Sequence, residues 1–373
     1  MRLLSAAPGA ESGWGRIDAP ATVPTMAARI FLSRFLFPAS SLAALMLTAC
    51  SGSQGPIDGS KAMTHVQAMV GFGPRPFGSD ALAKTTEYLF AAVDKLGLKP
   101  KRHEPLHEKE KKTIRNLYVQ IDGDDPVNGP ILMFGAHYDT KLTSGHNDAA
   151  HNFPFVGAID GGGAPAVLLE LARVLKDRTP KLKCNVWLYW IDAEESLDWT
   201  WNDERALLGS KAFCAMLSAT KVLSRVKAFV LLDLIGSKDI KIDKDGNSES
   251  RLQDIFSRAG TAMGVADRVG KFPTELEIEQ IKAYARRQGQ PEKWGITDDH
   301  NTFTRFGVPS VLLIDFERRI PGRQQTHPTT DFHQWWHTAE DTLDAMDADS
   351  LAFAGNLVMT ALPELETFVL GRK

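Results

Sequence analysis

The chain has 373 residues, of which 43% are hydrophobic and 24% are charged. These proportions are ordinary for a folded globular protein and exclude an intrinsically disordered chain. With 43 basic and 46 acidic residues the formal net charge is -3, so the composition predicts no nucleic acid partner.

The first fifty residues carry an export pattern. The stretch FLSRFLFPASSLAALMLTA, residues 31–49, is apolar apart from Arg34, and Arg29 and Arg34 supply the positive charge found at the start of export signals. We expect Met26 rather than Met1 to be the true start, because residues 1–25 do not fit a signal.

The apolar stretch ends in Leu-Thr-Ala followed by Cys50, which resembles a bacterial lipobox with a lipidated cysteine. The alternative is a short membrane-spanning helix, but the stretch is shorter than the ~20 residues that a span needs. We therefore predict an exported protein of the bacterial cell envelope, in the periplasm or as an outer-membrane lipoprotein. Its contact with the membrane would be the lipid anchor alone.

The rest of the chain reads as one domain. Residues 1–49 are predicted to be an upstream segment and signal, residues 50–60 a tether, and residues 61–373 a single α/β domain. The predicted elements in chain order are helices 62–70 and 80–96, strands 116–121 and 131–136, helix 161–175, strand 185–191, helix 206–217, strand 228–234, helix 252–262, strand 310–314 and helix 350–370 with Asp349 as its N-cap.

This alternation predicts a mostly parallel central sheet with helices on both faces. The segment 271–295 is charged and weakly patterned, so we expect an insertion that lies partly over the site. The mature chain keeps only Cys184 and Cys214. Export permits a disulfide, but we predict two buried, unpaired thiols.

Acids and histidines gather where the predicted strands end, and ligands of parallel α/β sheets bind beyond the carboxyl ends of the strands. These residues are His137, Asp139, Asp160, Asp192, Glu194, Glu195, Asp233, Asp298, Asp299, His300 and His337. Carboxylate and imidazole ligands without thiolates are typical of catalytic zinc, which keeps three protein ligands and one open position.

The neighbouring Glu194 and Glu195 follow a buried strand in WIDAEES. Successive side chains of an extended chain point in opposite directions, so both can reach one site only where the strand turns. One glutamate would then bind the metal while the other acts as a general acid/base. The alternative, a pair of solvated loop glutamates, is weakened by the acids at the other strand ends.

The motifs HYDTK, VGAID, WIDAEES, LLDLIG, DDH and WWHT stand in the order found in glutaminyl-peptide cyclotransferases. The chain resembles this family, relatives of the co-catalytic zinc aminopeptidases with the same fold, from about residue 60 to residue 370. The resemblance implies cyclisation of the N-terminal glutamine of peptides or proteins to pyroglutamate, with release of ammonia.

The resemblance also implies roles for particular residues. Asp160, Glu195 and His337 would bind a single zinc ion, and Glu194 would be the general acid/base. Asp233 and Asp298 would form a hydrogen-bonded acidic pair beside it. The implied substrate-binding residues are Trp201, Phe332, Trp336 and Thr297. Thr297 stands where many family members have glutamine, and Trp199 competes with Trp201 for the pocket position.

Two alternatives stay open. A dizinc aminopeptidase would use His137 and Asp233 for one metal, Glu195 and His337 for the other, and Asp160 as the bridge, with Glu194 activating water. Asp298 and Trp336 favour the cyclotransferase, because a water-activating dizinc site does not require them. A non-catalytic envelope lipoprotein would be expected to have lost at least one of the acids at 160, 194 and 195, and none is lost.

Overall fold

A six-stranded sheet organises the computed structural model, which describes residues 55–372 except 288, 290, 293 and 318–334. The strands are β1 (Lys101–His103), β2 (Leu106–His107), β3 (Lys112–Thr113), β4 (Asn116–Ile121), β5 (Ile131–His137), β6 (Asn185–Ile191), β7 (Val226–Asp233) and β8 (Ser310–Ile314). The order in the sheet is β1-β4-β6-β5-β7-β8, and β2 and β3 form a separate hairpin. Strands β6, β5, β7 and β8 are parallel, whereas β4 runs antiparallel to β6.

Helices cover both faces of this sheet. They are α1 (Gly59–Gly71), α2 (Asp80–Lys95), α3 (Ala164–Lys176), α4 (Leu208–Ala219), α5 (Ser250–Ala262), α6 (Glu275–Arg287), α7 (Asp299–Arg305) and α8 (Ala348–Leu370). Helices α1, α3 and α8 contact one another, and α7 contacts α4, β7 and β8. The predicted fold class, a mostly parallel α/β sheet with helices on both faces, is confirmed.

Strand β6 shows why the central strands have no polar face. Every one of its residues is buried, because a central parallel strand has helices on both sides. Trp190 donates its indole N–H to the carbonyl of Pro165 in α3, at 3.1 Å. Its neighbour Tyr189 points to the opposite face and stacks on Phe213 of α4, with ring centroids 4.1 Å apart.

The observed elements depart from the predicted ones in a few places. The predicted cap at Asp349 is wrong, because Asp347 caps α8 and its carboxylate accepts the Asp349 N–H at 3.3 Å. Strands β1 to β3 and helix α7 were not predicted, since they are short and rich in charge. Helix α6 lies inside the expected insertion.

The described residues belong to one compact unit, Ser51–Lys373. Ile57 is 2% exposed, and its N–H donates to the Asn356 side chain at 3.2 Å. The packed domain therefore includes residues upstream of the predicted boundary at 61. Cys50 and the export pattern lie outside the described residues.

Two further findings concern the cysteines and possible membrane-spanning helices. Cys184 and Cys214 are buried free thiols, which confirms the prediction. Within the described ranges, no helix combines the length and apolar character that crossing a bilayer requires.

Candidate active site

A cavity of about 380 Å³ lies at the carboxyl ends of the parallel strands. The predicted site residues in its lining are Asp160, Glu194, Glu195, Trp201, Asp233, Thr297, Asp298 and Trp336. Phe332 lies outside the described residues, so its predicted role stays a prediction. The acids Asp160, Glu194, Glu195, Asp233 and Asp298 thus gather at one edge of the sheet, as expected.

The two neighbouring glutamates enter the cavity because the chain reverses direction after β6. Ala193 has φ +56°, a left-handed conformation that ends the extended strand. The carboxylate of Asp139 then accepts the backbone N–H groups of Glu194 and Glu195, at 3.1 and 3.2 Å. The turn is therefore held by Asp139, and both glutamate side chains are free to face the cavity.

Asp160, Glu195 and His337 form the first group of potential metal ligands. One ligand atom from each lies within 4.8 Å of the others. His337 Nε2 is 3.0 Å from Glu195 Oε1 and 3.5 Å from Asp160 Oδ2. Asp160 Oδ2 has no hydrogen-bond partner among the described residues. Two carboxylates and an imidazole at this spacing suit zinc.

The position of His337 depends on its neighbours. Its backbone is left-handed, with φ +53°, and its ring stacks on Trp336 at 3.9 Å between centroids. Phe155 packs edge-on against the other side, at 5.7 Å. These aromatic contacts hold the imidazole toward Asp160 and Glu195.

Asp160 is oriented by an irregular turn before α3. It has extended dihedrals inside a π-helical turn, and the next residue, Gly161, has φ +81°. A Cβ at Gly161 would lie 2.2 Å from the Asp139 carbonyl oxygen, so only glycine fits there. The backbone N–H groups of Ile159 and Asp160 donate to the carboxylate of Asp341, at 2.7 and 3.0 Å.

Asp341 should therefore be a positioning residue for the metal ligand. Replacing Asp341 with Ala removes both acceptors from a buried turn, and we expect zinc affinity to fall about 10–100-fold. Competition with a fluorescent chelator measures this affinity. Asp344→Ala, an exposed acid nearby, is the control, and equal affinities for the two variants would contradict the role of Asp341.

A second group of potential ligands shares Asp160 with the first. His137 Nε2 lies 2.9 Å from Asp233 Oδ1 and 3.1 Å from Asp160 Oδ1. Burial would lower the pKa of His137, but Asp233, Asp139 and Asp160 together raise it well above 6.5. A proton on this imidazole can balance the acids that a second metal ion would otherwise balance. The described residues thus offer ligands for one ion or two.

Glu194 belongs to neither group. Burial, and then the charge of Asp298, raise its pKa well above 4.5. The pKa of Asp298 is likewise raised, by burial and by Asp233. A buried, unligated glutamate of this kind can hold a proton near neutral pH, which is what a general acid/base requires.

The predicted hydrogen bond between Asp233 and Asp298 stays a prediction, because it requires a proton on one of the two carboxyl groups. Asp233 Oδ1 accepts the Leu234 N–H at 2.6 Å and faces His137. Asp298 caps α7, and its Oδ2 has no hydrogen-bond partner among the described residues. The contact between Asp233 and His137 corresponds to the ligand pair that a dizinc site would use.

The two tryptophans that competed for the pocket position have different surroundings. Trp201 lines the cavity, and its indole donates to Asp203 at 2.6 Å. Trp199 packs on His151, with centroids 4.1 Å apart, and lies 6.2 Å from the His337 ring. The structure thus puts Trp201 in the cavity lining and Trp199 beside a potential metal ligand.

Buried cations behind the site were missed by sequence reasoning. Arg75 is fully buried and donates to the carbonyls of Tyr138, Val156 and Gly157, at 2.8 to 3.0 Å. Lys141 is 3.8 Å from Glu195 Oε2. Lys141 stands in the quoted HYDTK motif, whereas the only local signal for Arg75 is its place between two prolines.

The outer part of the cavity is lined by residues outside the ligand groups. Asp243 is 5% exposed, and its Oδ2 accepts the N–H groups of Phe316 and Glu317, at 2.8 and 2.6 Å. Burial raises the pKa of Asp243 to about 8. This acid therefore keeps its proton in the folded protein at neutral pH.

Asp243 should make the folded protein less stable as the pH rises. Between about pH 4 and pH 8 the folded state keeps a proton that the unfolded state releases, so its contribution falls by up to about 1.4 kcal/mol per pH unit. Urea unfolding of the wild type and of Asp243→Asn across this range measures the difference. The two curves should diverge steadily above pH 4, and parallel curves would contradict the assignment.

Comparisons with known proteins agree with this geometry. A family model described as Peptidase family M28 matches residues 116–362. The chain is 28% identical over 233 residues to a glutaminyl-peptide cyclotransferase-like protein from Bos taurus, an alignment that covers 58% of this chain. It spans about half of that relative, 52% of its length.

The chain covers a larger share of similar solved structures than it does of the bovine relative. The crystal structure of a glutaminyl cyclase from an Acidobacteriales bacterium has 27% sequence identity and a TM-score of 0.68, covering 85% of this chain and 97% of that one. A Zn-dependent exopeptidase from Parabacteroides distasonis has 22% identity and a TM-score of 0.64, with 85% and 99% covered, and shares the fold. The resemblance inferred from the motifs is confirmed. Because the family model matches more than half of the chain, this protein belongs to peptidase family M28.

Proposed function

We propose that this protein is a zinc-dependent glutaminyl-peptide cyclotransferase. It would convert the N-terminal glutamine of peptides or proteins to pyroglutamate and release ammonia. The observation that carries the proposal is the position of Glu194, which is buried in the cavity beside Asp298 and belongs to neither group of potential metal ligands. Similarity to the bovine and bacterial cyclotransferases supports the same activity.

The residues divide the chemistry among them. Asp160, Glu195 and His337 would hold the zinc ion, which supplies a Lewis acid for the γ-carboxamide oxygen of the substrate. Glu194 takes a proton from the α-amine as that nitrogen forms its bond to the carbonyl carbon of the side-chain amide. It then delivers this proton to the departing amide nitrogen as the bond from that nitrogen to the carbonyl carbon breaks, which releases ammonia. Asp298, whose pKa is raised like that of Glu194, favours a shared proton at this position.

The aromatic walls serve ring closure. Trp201 and Trp336 line the cavity, so a flexible glutamine side chain can be held with its amide carbon near its own amine. This arrangement contributes an entropic advantage to an intramolecular reaction. Apolar walls also exclude water, whose attack on the amide carbonyl carbon would give glutamate instead of pyroglutamate.

A dizinc aminopeptidase is the second candidate, because His137, Asp160 and Asp233 form a second group around a shared Asp160. In that case Glu194 would assist the attack of water on the first peptide bond. The two activities differ in products and in metal content.

The distinguishing experiment combines metal analysis with two substrates. Purified protein should contain one zinc per chain, release ammonia from a Gln-Ala-Ala peptide and leave a pyroglutamyl product by mass spectrometry. Leucine p-anilide should not be hydrolysed. Two zinc ions per chain together with anilide hydrolysis, and no ammonia from the glutaminyl peptide, would identify the aminopeptidase.

We also propose that the protein is exported and tethered to the envelope through Cys50. The apolar stretch 31–49 and the lipobox-like sequence before Cys50 support this. In bacteria fed a labelled fatty acid, the wild type should incorporate the label and Cys50→Ser should not. Equal labelling, or labelling of neither, would contradict the anchor.

A further inference from the structure

One part of the cavity lining, here called the outer wall, takes no part in the proposed ring closure. Pro273, Ile281 and Trp294 line it and come from the insertion around α6. A cavity of about 380 Å³ falls in the size class that accommodates drug-sized ligands, which are larger than one glutaminyl residue. Space therefore remains beyond the glutamine for the next part of a peptide.

The charges along this wall are compensated. Lys244 Nζ lies 2.8 Å from Glu275 Oε1, and Lys241 Nζ lies 2.8 Å from Glu317 Oε2. Asp243, the remaining acid of the wall, is buried and protonated at neutral pH because burial raises its pKa. A charged side chain placed here would lose water without gaining an opposite charge. An apolar side chain would gain contacts.

The inner edge of the wall is fixed in place. The Ile296 N–H donates to Asp245 Oδ1 at 2.7 Å, and the Asn247 amide donates to the Ile296 carbonyl at 2.9 Å. Asp245 Oδ2 also lies 3.0 Å from His300 Nε2, and both side chains are fully buried. Asp245 therefore connects the backbone near Trp294 to His300 of α7. These contacts fix the segment that carries the indole before a substrate binds.

We propose that Ile281, Trp294 and Pro273 form a subsite for the second residue of the substrate and select a bulky apolar side chain there. This inference rests on the proposed function, since it takes the first residue to be the glutamine at Glu194. The preferred substrates would be peptides or proteins beginning Gln-Phe, Gln-Leu or a similar pair, in preference to Gln-Gly or Gln-Glu.

Kinetics with matched peptides test the subsite. For the wild type, kcat/KM should be higher for Gln-Phe-Ala than for Gln-Gly-Ala, and Ile281→Ala should reduce this ratio about tenfold. Trp294→Ala should reduce it as well, and Trp294→Phe should restore most of it. Leu276→Ala is the matched control, because Leu276 lies on the same helix, is 69% exposed and is not in the cavity lining.

Binding measurements separate this proposal from the proposed function. Calorimetry with zinc-loaded Glu194→Gln protein gives the affinities of both peptides without turnover. Preference for Gln-Phe-Ala that is lost in Glu194→Gln/Ile281→Ala supports the subsite even if the wild type releases no ammonia, in which case only the cyclase proposal fails. Ammonia release with equal kcat/KM for the two peptides, or an unchanged ratio in Ile281→Ala, overturns the subsite alone.

Discussion

Glu194→Gln should lower kcat for a glutaminyl peptide about 10²–10⁴-fold, the usual contribution of a general acid/base. Glutamine has nearly the same shape but can neither accept the proton of the α-amine nor return it to the leaving nitrogen. Zinc content should not change, because Glu194 lies outside the group Asp160, Glu195 and His337. Ammonia release and elemental analysis on the same preparation give both values.

Two further variants make this result specific. Glu195→Gln removes a carboxylate that lies 3.0 Å from His337 Nε2, so this variant should lose zinc together with activity. Glu204→Gln changes an exposed glutamate and should behave as the wild type. If Glu194→Gln retained full activity, or if it lost zinc as Glu195→Gln does, the proposed division between the two glutamates would be wrong.

Arg75→Met should destabilise the fold by about 3–5 kcal/mol, because it leaves buried carbonyl groups without their charged hydrogen-bond donor. Arg75 donates to the carbonyls of Tyr138, Val156 and Gly157. It is also the buried cation whose charge is balanced by Asp341, Asp139 and Asp160. Methionine fills part of the volume but leaves these carbonyls without donors. Urea unfolding at constant zinc concentration measures the loss.

The control for this prediction is another arginine. Arg102 makes its ion pair with Glu87 at 2.8 Å near the surface, where the Glu87 side chain is 67% exposed. Arg102→Met should therefore cost less than about 1 kcal/mol. Equal losses for the two variants would show that burial of Arg75 contributes no special stabilisation.

The part of the site that could be predicted from sequence is the part set by strand order. Parallel strands bring their carboxyl ends to one edge, so the acids and histidines that follow the strands were expected to meet, and Asp160, Glu195 and His337 do. The turn between Glu194 and Ile191 could also be anticipated, because two neighbouring side chains cannot otherwise share a site.

The supporting contacts could not be predicted, because they join residues far apart in the chain. Asp341 accepts a hydrogen bond from the backbone of Asp160, and Arg75 donates to the carbonyl of Gly157. No periodicity or local motif encodes such pairings.

Some elements escaped prediction for local reasons. Strands β1 to β3 have two or three residues each and carry lysines and histidines, so they show no alternation. Helix α7 has seven residues, too few for a repeat of its apolar side chains to be visible. The N-cap of α8 was misplaced because Asp347 and Asp349 are equally suitable by residue type, and only the backbone of Asp347 is extended.

Asp245 joins two parts of the cavity that would have to be considered together in any redesign of this protein. One carboxylate holds the main chain of Ile296 and the ring of His300, and His300 is two residues from Asp298. Asp245 thus supports both the segment of the proposed second-residue subsite and the helix α7 that Asp298 caps. A redesign that moves the main chain around Ile296 should therefore alter turnover as well as substrate selectivity. Shortening side chains of the subsite alone leaves the contacts of Asp245 unchanged.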